Sequence, residues 1–272
     1  ADNFEYENTG KGVVAYVVDS GVNIAHEEFE GRASVGFLYS DDAEVGQHGS
    51  HVAGLIGSKT YGVAKKVKIV DINIGLETGF LTTDVLAGLD WIATNHVENT
   101  PGVINCSFGT QVAVDAPETS IEASLKALFN DGLNIIIAAG NDAIDTSLFS
   151  PARLAEVITV GASTTLNTLA SFSNFGSVVD ILAPGVDIIS TGPKYNDILE
   201  LQGTSMAAPI VAGVVAAFIE DSYMTPAEVK TELIRQSRKN FITHEIPDTT
   251  HDLVFSRLKR SIISSGANQL PL

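Results

Sequence analysis

Cysteine occurs once in the 272 residues, at Cys106, so no disulfide can form within the chain. Small secreted domains usually need such staples, but a chain of this length buries enough core to do without them. Positive charge is scarce as well: 16 Lys and Arg against 33 Asp and Glu leave a formal net charge of −17. A surface of that sign repels phosphate backbones and anionic lipid, so neither nucleic acid nor membrane is an expected partner. Solubility is its ordinary consequence. No apolar run reaches the length of a membrane span. Repeats and low-complexity linkers are absent too, so a single domain over residues 1–272 is expected. The stretch after Ala1 is polar and lacks the order of a secretion leader. The numbered chain is therefore expected to be either a cytosolic protein or the mature product of a longer precursor.

What the chain does contain is alternation. Runs rich in β-branched residues at 12–18, 67–74, 102–106, 134–138, 157–160 and 178–182 are almost continuously apolar, as strands covered on both faces are. Between them, 82–96 carries Val85, Leu86, Leu89, Trp91 and Ile92 at roughly helical spacing. A second helix is predicted over 119–130, ending at Asp131-Gly132. A third starts at Thr225-Pro226-Ala227-Glu228, which reads as cap, first-turn proline and helix formers. Such alternation predicts an α/β fold of three layers, a mainly parallel central sheet with helices on both faces. Ligands of such sheets sit beyond the carboxyl ends of the strands.

Four segments carry chemical groups to those ends. Asp19 follows the first strand directly and is turned by Ser20-Gly21. Gln47-His48-Gly49-Ser50-His51 brings two histidines three residues apart into a stretch whose small residues Gly49, Ala53, Gly54 and Gly57 predict a closely packed helix. A zinc pair would need a third ligand, and the zincin pattern needs a spacing of four. Spacing alone leaves open which histidine faces a cleft. Gly203-Thr204-Ser205-Met206 starts another small-residue helix, running to about residue 219, where amide hydrogens and the helix dipole favour a negative oxygen. Asn141 ends the strand that breaks at Gly140. Each group has an ordinary role as a cap or turn residue. Their combination is more specific, because Asp, His, Ser is the chain order of subtilisin. Ser205 lies outside a G-x-S-x-G elbow, which argues against a lipase or esterase.

With these segments in place, the sequence resembles the subtilisin-like serine proteases, most closely the proteinase K-like branch of fungal enzymes. The likeness rests on Val17-Val18-Asp19-Ser20-Gly21, His48-Gly49-Ser50-His51-Val52-Ala53-Gly54, Ala138-Ala139-Gly140-Asn141 and Gly203-Thr204-Ser205-Met206-Ala207. Tyr61-Gly62-Val63-Ala64-Lys65-Lys66, Ser171-Phe172-Ser173-Asn174-Phe175-Gly176 and Ala183-Pro184-Gly185 extend it over residues 10–240. The resemblance implies a serine endopeptidase of broad specificity with Asp19, His48 and Ser205 as the triad, Asn141 as oxyanion donor, and His51 as a packing residue. It implies that Ser107-Phe108-Gly109 pairs with a bound peptide as an added strand. Ala138-Ala139-Gly140 would line the pocket for the residue before the scissile bond, and 78–81 would border a second apolar pocket.

It implies further a structural calcium ion held by the Asp180 carboxylate and the carbonyls of Ala155 and Val157, with no catalytic metal or organic cofactor. Polypeptides would be the substrates of a monomer made as a zymogen, its cleaved propeptide an inhibitor, and secretion or a vacuole-like compartment its destination. Departures from the pattern are Ser50, Val52, Thr110-Gln111 and Ile210. Likeness is weak from about Phe241 onward, where Ser256-Arg257-Leu258-Lys259-Arg260 is unusual. Asn105-Cys106-Ser107 is formally a glycosylation acceptor, but its place in a buried strand predicts that it stays unmodified. A catalytically silent binding protein of the same fold is the alternative. Reaction with a serine-directed inhibitor separates the two.

Overall fold

The computed structural model describes residues 8–76, 78–220 and 224–254. The unusual segment from Ser256 to Arg260 lies outside them. The apolar runs form the strands of one sheet: β1 (Val14–Asp19), β2 (Ala33–Leu38), β3 (Lys68–Asn73), β4 (Gly102–Cys106), β5 (Asn134–Ala138), β6 (Ile158–Ser163) and β7 (Ile181–Pro184). Their spatial order is β7-β6-β5-β4-β1-β3-β2, and every neighbouring pair is parallel.

Among the described residues, five α-helices cover the sheet: α1 (Gln47–Gly57), α2 (Thr82–Asn95), α3 (Ser120–Asn130), α4 (Thr204–Phe218) and α5 (Pro226–Gln236). Strand alternation divides the core in two. Ala15, Val17, Ile69, Val103 and Ile136 pack with α1, α4 and α5. Tyr16, Val18, Ile72, Ile104 and Ile135 pack on the other face with α2 and α3. α3 and α5 both start in complete capping boxes, Thr119 with Glu122 and Thr225 with Glu228. Each cap stabilises its helix by about 0.5–2 kcal/mol.

An edge strand and an antiparallel ribbon are among the elements that carried no sequence signal. β2 is an edge strand with a register shift between Val35 and Phe37, so it buries too little to show a pattern. The antiparallel ribbon of Ile188–Thr191 with Ile198–Leu201 lies against α1, where the Ser190 and Thr191 hydroxyls donate to the carbonyls of His51 and Ser50. The chain leaves β1 for β3 and β2 on one side and returns to β4 through β7 on the other. The crevice between the ends of β1 and β4 is thus the switch point at which such sheets hold ligands.

Candidate active site

Asp19 is the last residue of β1 and is buried. Its Oδ1 accepts the Ser20 N–H at 2.7 Å, which fixes the carboxylate. His48, in the first turn of α1, places Nδ1 2.8 Å from Asp19 Oδ1 and 3.0 Å from Oδ2. The side chains are 30% and 5% exposed, so the imidazole faces the cleft while its partner is shut in. His51 points the other way. It is fully buried, its Nε2 lies 3.0 Å from the Ile188 carbonyl and 3.2 Å from that of Leu199, and burial lowers its pKa to about 4. It is a neutral bolt between α1 and the ribbon, and no metal pair forms with His48.

Ser205 is the second residue of α4, where amide hydrogens have no helical carbonyl to serve. Pro209 lies four residues on and lacks an N–H, so the Ser205 carbonyl loses its helical donor. Ser107 replaces it: its hydroxyl donates to that carbonyl at 3.0 Å, while Ser205 Oγ donates to the Ser107 carbonyl at 3.1 Å. Asn105 steadies the Ser107 hydroxyl from 2.9 Å. The proline inside α4 thus ties the helix start to the end of β4. Asn105 is itself fully buried, so its sequon offers no acceptor to a glycosylating enzyme. The neighbouring Cys106 thiol, pushed up by burial and then by Asp19, stays protonated and inert.

Asn141 Oδ1 accepts both the backbone N–H of Thr204, at 2.8 Å, and its hydroxyl, at 3.0 Å. Two donors on one side assign the amide, leaving Nδ2 free to donate elsewhere. A side chain at Gly203, whose φ is +149°, would place its first carbon 3.4 Å from Asn141 Nδ2 and 3.6 Å from the Ser205 nitrogen. Glycine at 203 therefore keeps open the space both donors face. Asn174 holds the same loop, accepting from the amides of Asp142 and Ile144 and donating to the Ala139 carbonyl. Thr204 was not singled out by the sequence, yet it orients Asn141. Thr204→Val is expected to lower kcat roughly ten-fold on a chromogenic peptide with little change in KM, and Thr204→Ser to keep most of it.

Two cavities flank these groups. One of about 270 Å³ is lined by Gly109, Ala138, Gly140, Phe149, Thr204 and Ser205. Ala139 does not join it, which corrects the expectation from sequence. Alternation turns its side chain into a separate apolar cluster with Val179, Leu182 and Ile242. The second cavity, about 220 Å³, lies beside Asp19 and His48 and is walled by Ile74, Gly79, Phe80 and Phe108. The rings of Phe80 and Phe108 meet edge to face at 4.8 Å. Of the stretch 78–81, Gly79 and Phe80 take part, and Leu81 is exposed.

Ala155, Val157 and Asp180 are brought together at the far end of the sheet, but around the Lys230 ammonium. With an amine nitrogen already bonded to all three oxygens, this donor set does not fit a calcium ion.

Comparison with known proteins agrees with this fold. Residues 10–254 match the model of the subtilase family, Peptidase S8. The chain is 39% identical over 250 residues to alkaline serine exoprotease A of Vibrio alginolyticus, covering 89% of this chain and 45% of the relative. It is 38% identical over 246 residues to an extracellular serine proteinase of Thermus sp. strain Rt41A, covering 88% and 58%. A subtilisin-like protease of Coccidioides posadasii is 40% identical over 261 residues, covering 93% and 64%. The chain thus spans about half to two thirds of the length of these relatives. The crystal structure of a cold adapted subtilisin-like serine proteinase superposes with a TM-score of 0.87 at 36% identity, covering 93% of this chain and 92% of that one.

Proposed function

The chain belongs to the subtilase family, and we propose that it is a serine endopeptidase that cleaves polypeptides through an acyl-enzyme. The observation that carries this reading is the Asp19–His48 pair at the switch point, with Ser205 at a helix start and two free donors beside it. Ser205 Oγ turns from the Ser107 carbonyl and attacks the peptide carbonyl carbon as His48 takes its proton. The C–N bond then breaks and His48 returns the proton to the leaving amine. Water repeats the sequence on the ester and frees the acid. Asp19 holds the imidazole with its proton on Nδ1 and stabilises the charged form. Asn141 Nδ2 and the Ser205 N–H stabilise the oxyanion, and one such donor is typically worth about 10²–10³ in kcat. A silent relative would be expected to have lost one of these groups, and all are present.

Ser107-Phe108-Gly109 forms the wall along which an extended substrate is proposed to lie, its side chains entering the two cavities. The smaller cavity is mainly apolar and the larger mainly polar, and broad specificity is proposed for the pair. Extracellular relatives support secretion of a precursor, with a vacuole-like compartment as the finer alternative, and a monomer is proposed. Digestion of a denatured protein, with the cut sites read by mass spectrometry, tests the reading together with labelling by a fluorophosphonate. Wild-type protein that neither cuts nor is labelled refutes it.

Phe149 lines the larger cavity between Gly109 and Gly140. Its ring edge would overlap a side-chain carbon at Gly109 and lie 3.0 Å from one at Gly140. Phe149→Ala is expected to raise kcat/KM for peptides with an aromatic residue before the scissile bond, relative to alanine there, by at least about ten-fold. An unchanged ratio would place the ring outside the determinant of specificity.

A further inference from the structure

We infer that the Lys230 ammonium is the built-in cation of the Ala155–Val157–Asp180 pocket, and that this pocket is therefore closed to calcium. Lys230 lies in the second turn of α5 and reaches back across the edge of the sheet. Its Nζ donates to the carbonyls of Ala155 at 3.0 Å and Val157 at 2.6 Å, and pairs with Asp180 Oδ2 at 2.8 Å. An ammonium has three N–H donors and no more. Three acceptors meet them, so the group is saturated.

Calcium would have to stand where this nitrogen stands. It takes six to eight oxygens at about 2.3–2.6 Å, and the three oxygens here are already committed. Entry of the ion would set two positive charges against one carboxylate, or drive a lysine that is only 20% exposed out of its place. The same oxygen, Asp180 Oδ2, also accepts the Thr159 N–H at 2.9 Å, which fixes the carboxylate. One monovalent charge neutralises one carboxylate, and the side chain that carries it cannot diffuse away. The loop before β6, the start of β7 and α5 are thereby fastened together without regard to the calcium concentration. Nothing along the chain marks this arrangement, since Ala155 and Val157 contribute carbonyls and Lys230 is remote from both.

The test is thermal unfolding in EDTA and in millimolar CaCl2, using Ser205→Ala protein to prevent self-digestion. The melting temperature is expected to differ by less than about 1 °C between the two solutions. Lys230→Ala in the same background should melt about 5–10 °C lower in EDTA, the scale of an abandoned buried carboxylate. Calcium should restore part of that loss, because the carbonyls and the carboxylate are released. A calcium response that survives Asp180→Asn arises elsewhere and leaves this pocket closed, as proposed. The inference is overturned by a fall of several degrees on chelation in the Lys230 protein that Asp180→Asn abolishes. It is equally overturned by a Lys230→Ala protein as stable in EDTA as its parent. The chelation comparison stands even if that variant does not fold.

Discussion

Ser205→Ala is expected to lower kcat for a peptide substrate by roughly 10⁶-fold while leaving KM and the circular dichroism spectrum nearly unchanged, a magnitude taken from subtilisin itself rather than from this geometry. The substitution removes the attacking oxygen and one hydrogen bond, to the Ser107 carbonyl, and leaves the helix start intact. His48→Ala should cost about as much, and the double variant no more than either alone, because base and nucleophile act in one step. Asp19→Asn is expected to fall between the single losses and the wild type. It keeps the shape of the carboxylate but no longer favours the proton on Nδ1 or the charge that His48 acquires. Active-site titration should be used alongside steady-state rates, so that a trace of wild-type enzyme is not mistaken for residual activity. Cleavage retained by fully titrated Ser205→Ala would move the nucleophile elsewhere.

Much of this site could be read from the chain because its parts lie at the ends of strongly apolar strands. β4 and β5 were bounded to the residue by their composition, and Asp19 followed from the break after Val18. The two histidines show where such reading stops. Both sit in α1 three residues apart, and periodicity alone does not say that one faces a cleft while the other bolts down a ribbon. That ribbon starts more than 130 residues later and had no signature of its own. Phe149, Thr204 and Lys230 were missed for a related reason. Each acts on backbone atoms, a glycine wall or a side chain brought near by the fold, and none of those partners marks the sequence. Ala139 failed differently: as part of a motif it looked like lining, but its side chain packs with Val179, Leu182 and Ile242, away from the cavity that Ala138 and Gly140 line.

Two buried groups make a prediction about acid that neither would make alone. Asp71, in β3, is almost wholly buried, accepts from the Val22 amide, and has no partner for Oδ1 among the described residues. Desolvation, with a smaller contribution from Asp19, pushes it from 3.8 up to about 7. Between those values the unfolded chain has lost its proton and the folded chain keeps it. Stability from this group is therefore complete below the lower value and is lost as pH rises through about 7. His51 has the opposite sign. Burial lowers it from 6.5 to about 4, so its contribution is complete above 6.5 and is lost as pH falls through 4. Over the shared window the two slopes oppose each other and the parent protein resists mild acid. Asp71→Asn removes one slope and leaves the other. Measured by urea unfolding in Ser205→Ala protein, it should be more stable by about 2–4 kcal/mol at pH 8. The gain should shrink towards zero at pH 4, since asparagine then replaces a carboxyl that is neutral in either state. All other ionisable groups are common to the two proteins, so the difference isolates Asp71. A gain of the same size at every pH would mean that Asp71 is charged throughout, and the compensation argued here would fail with it.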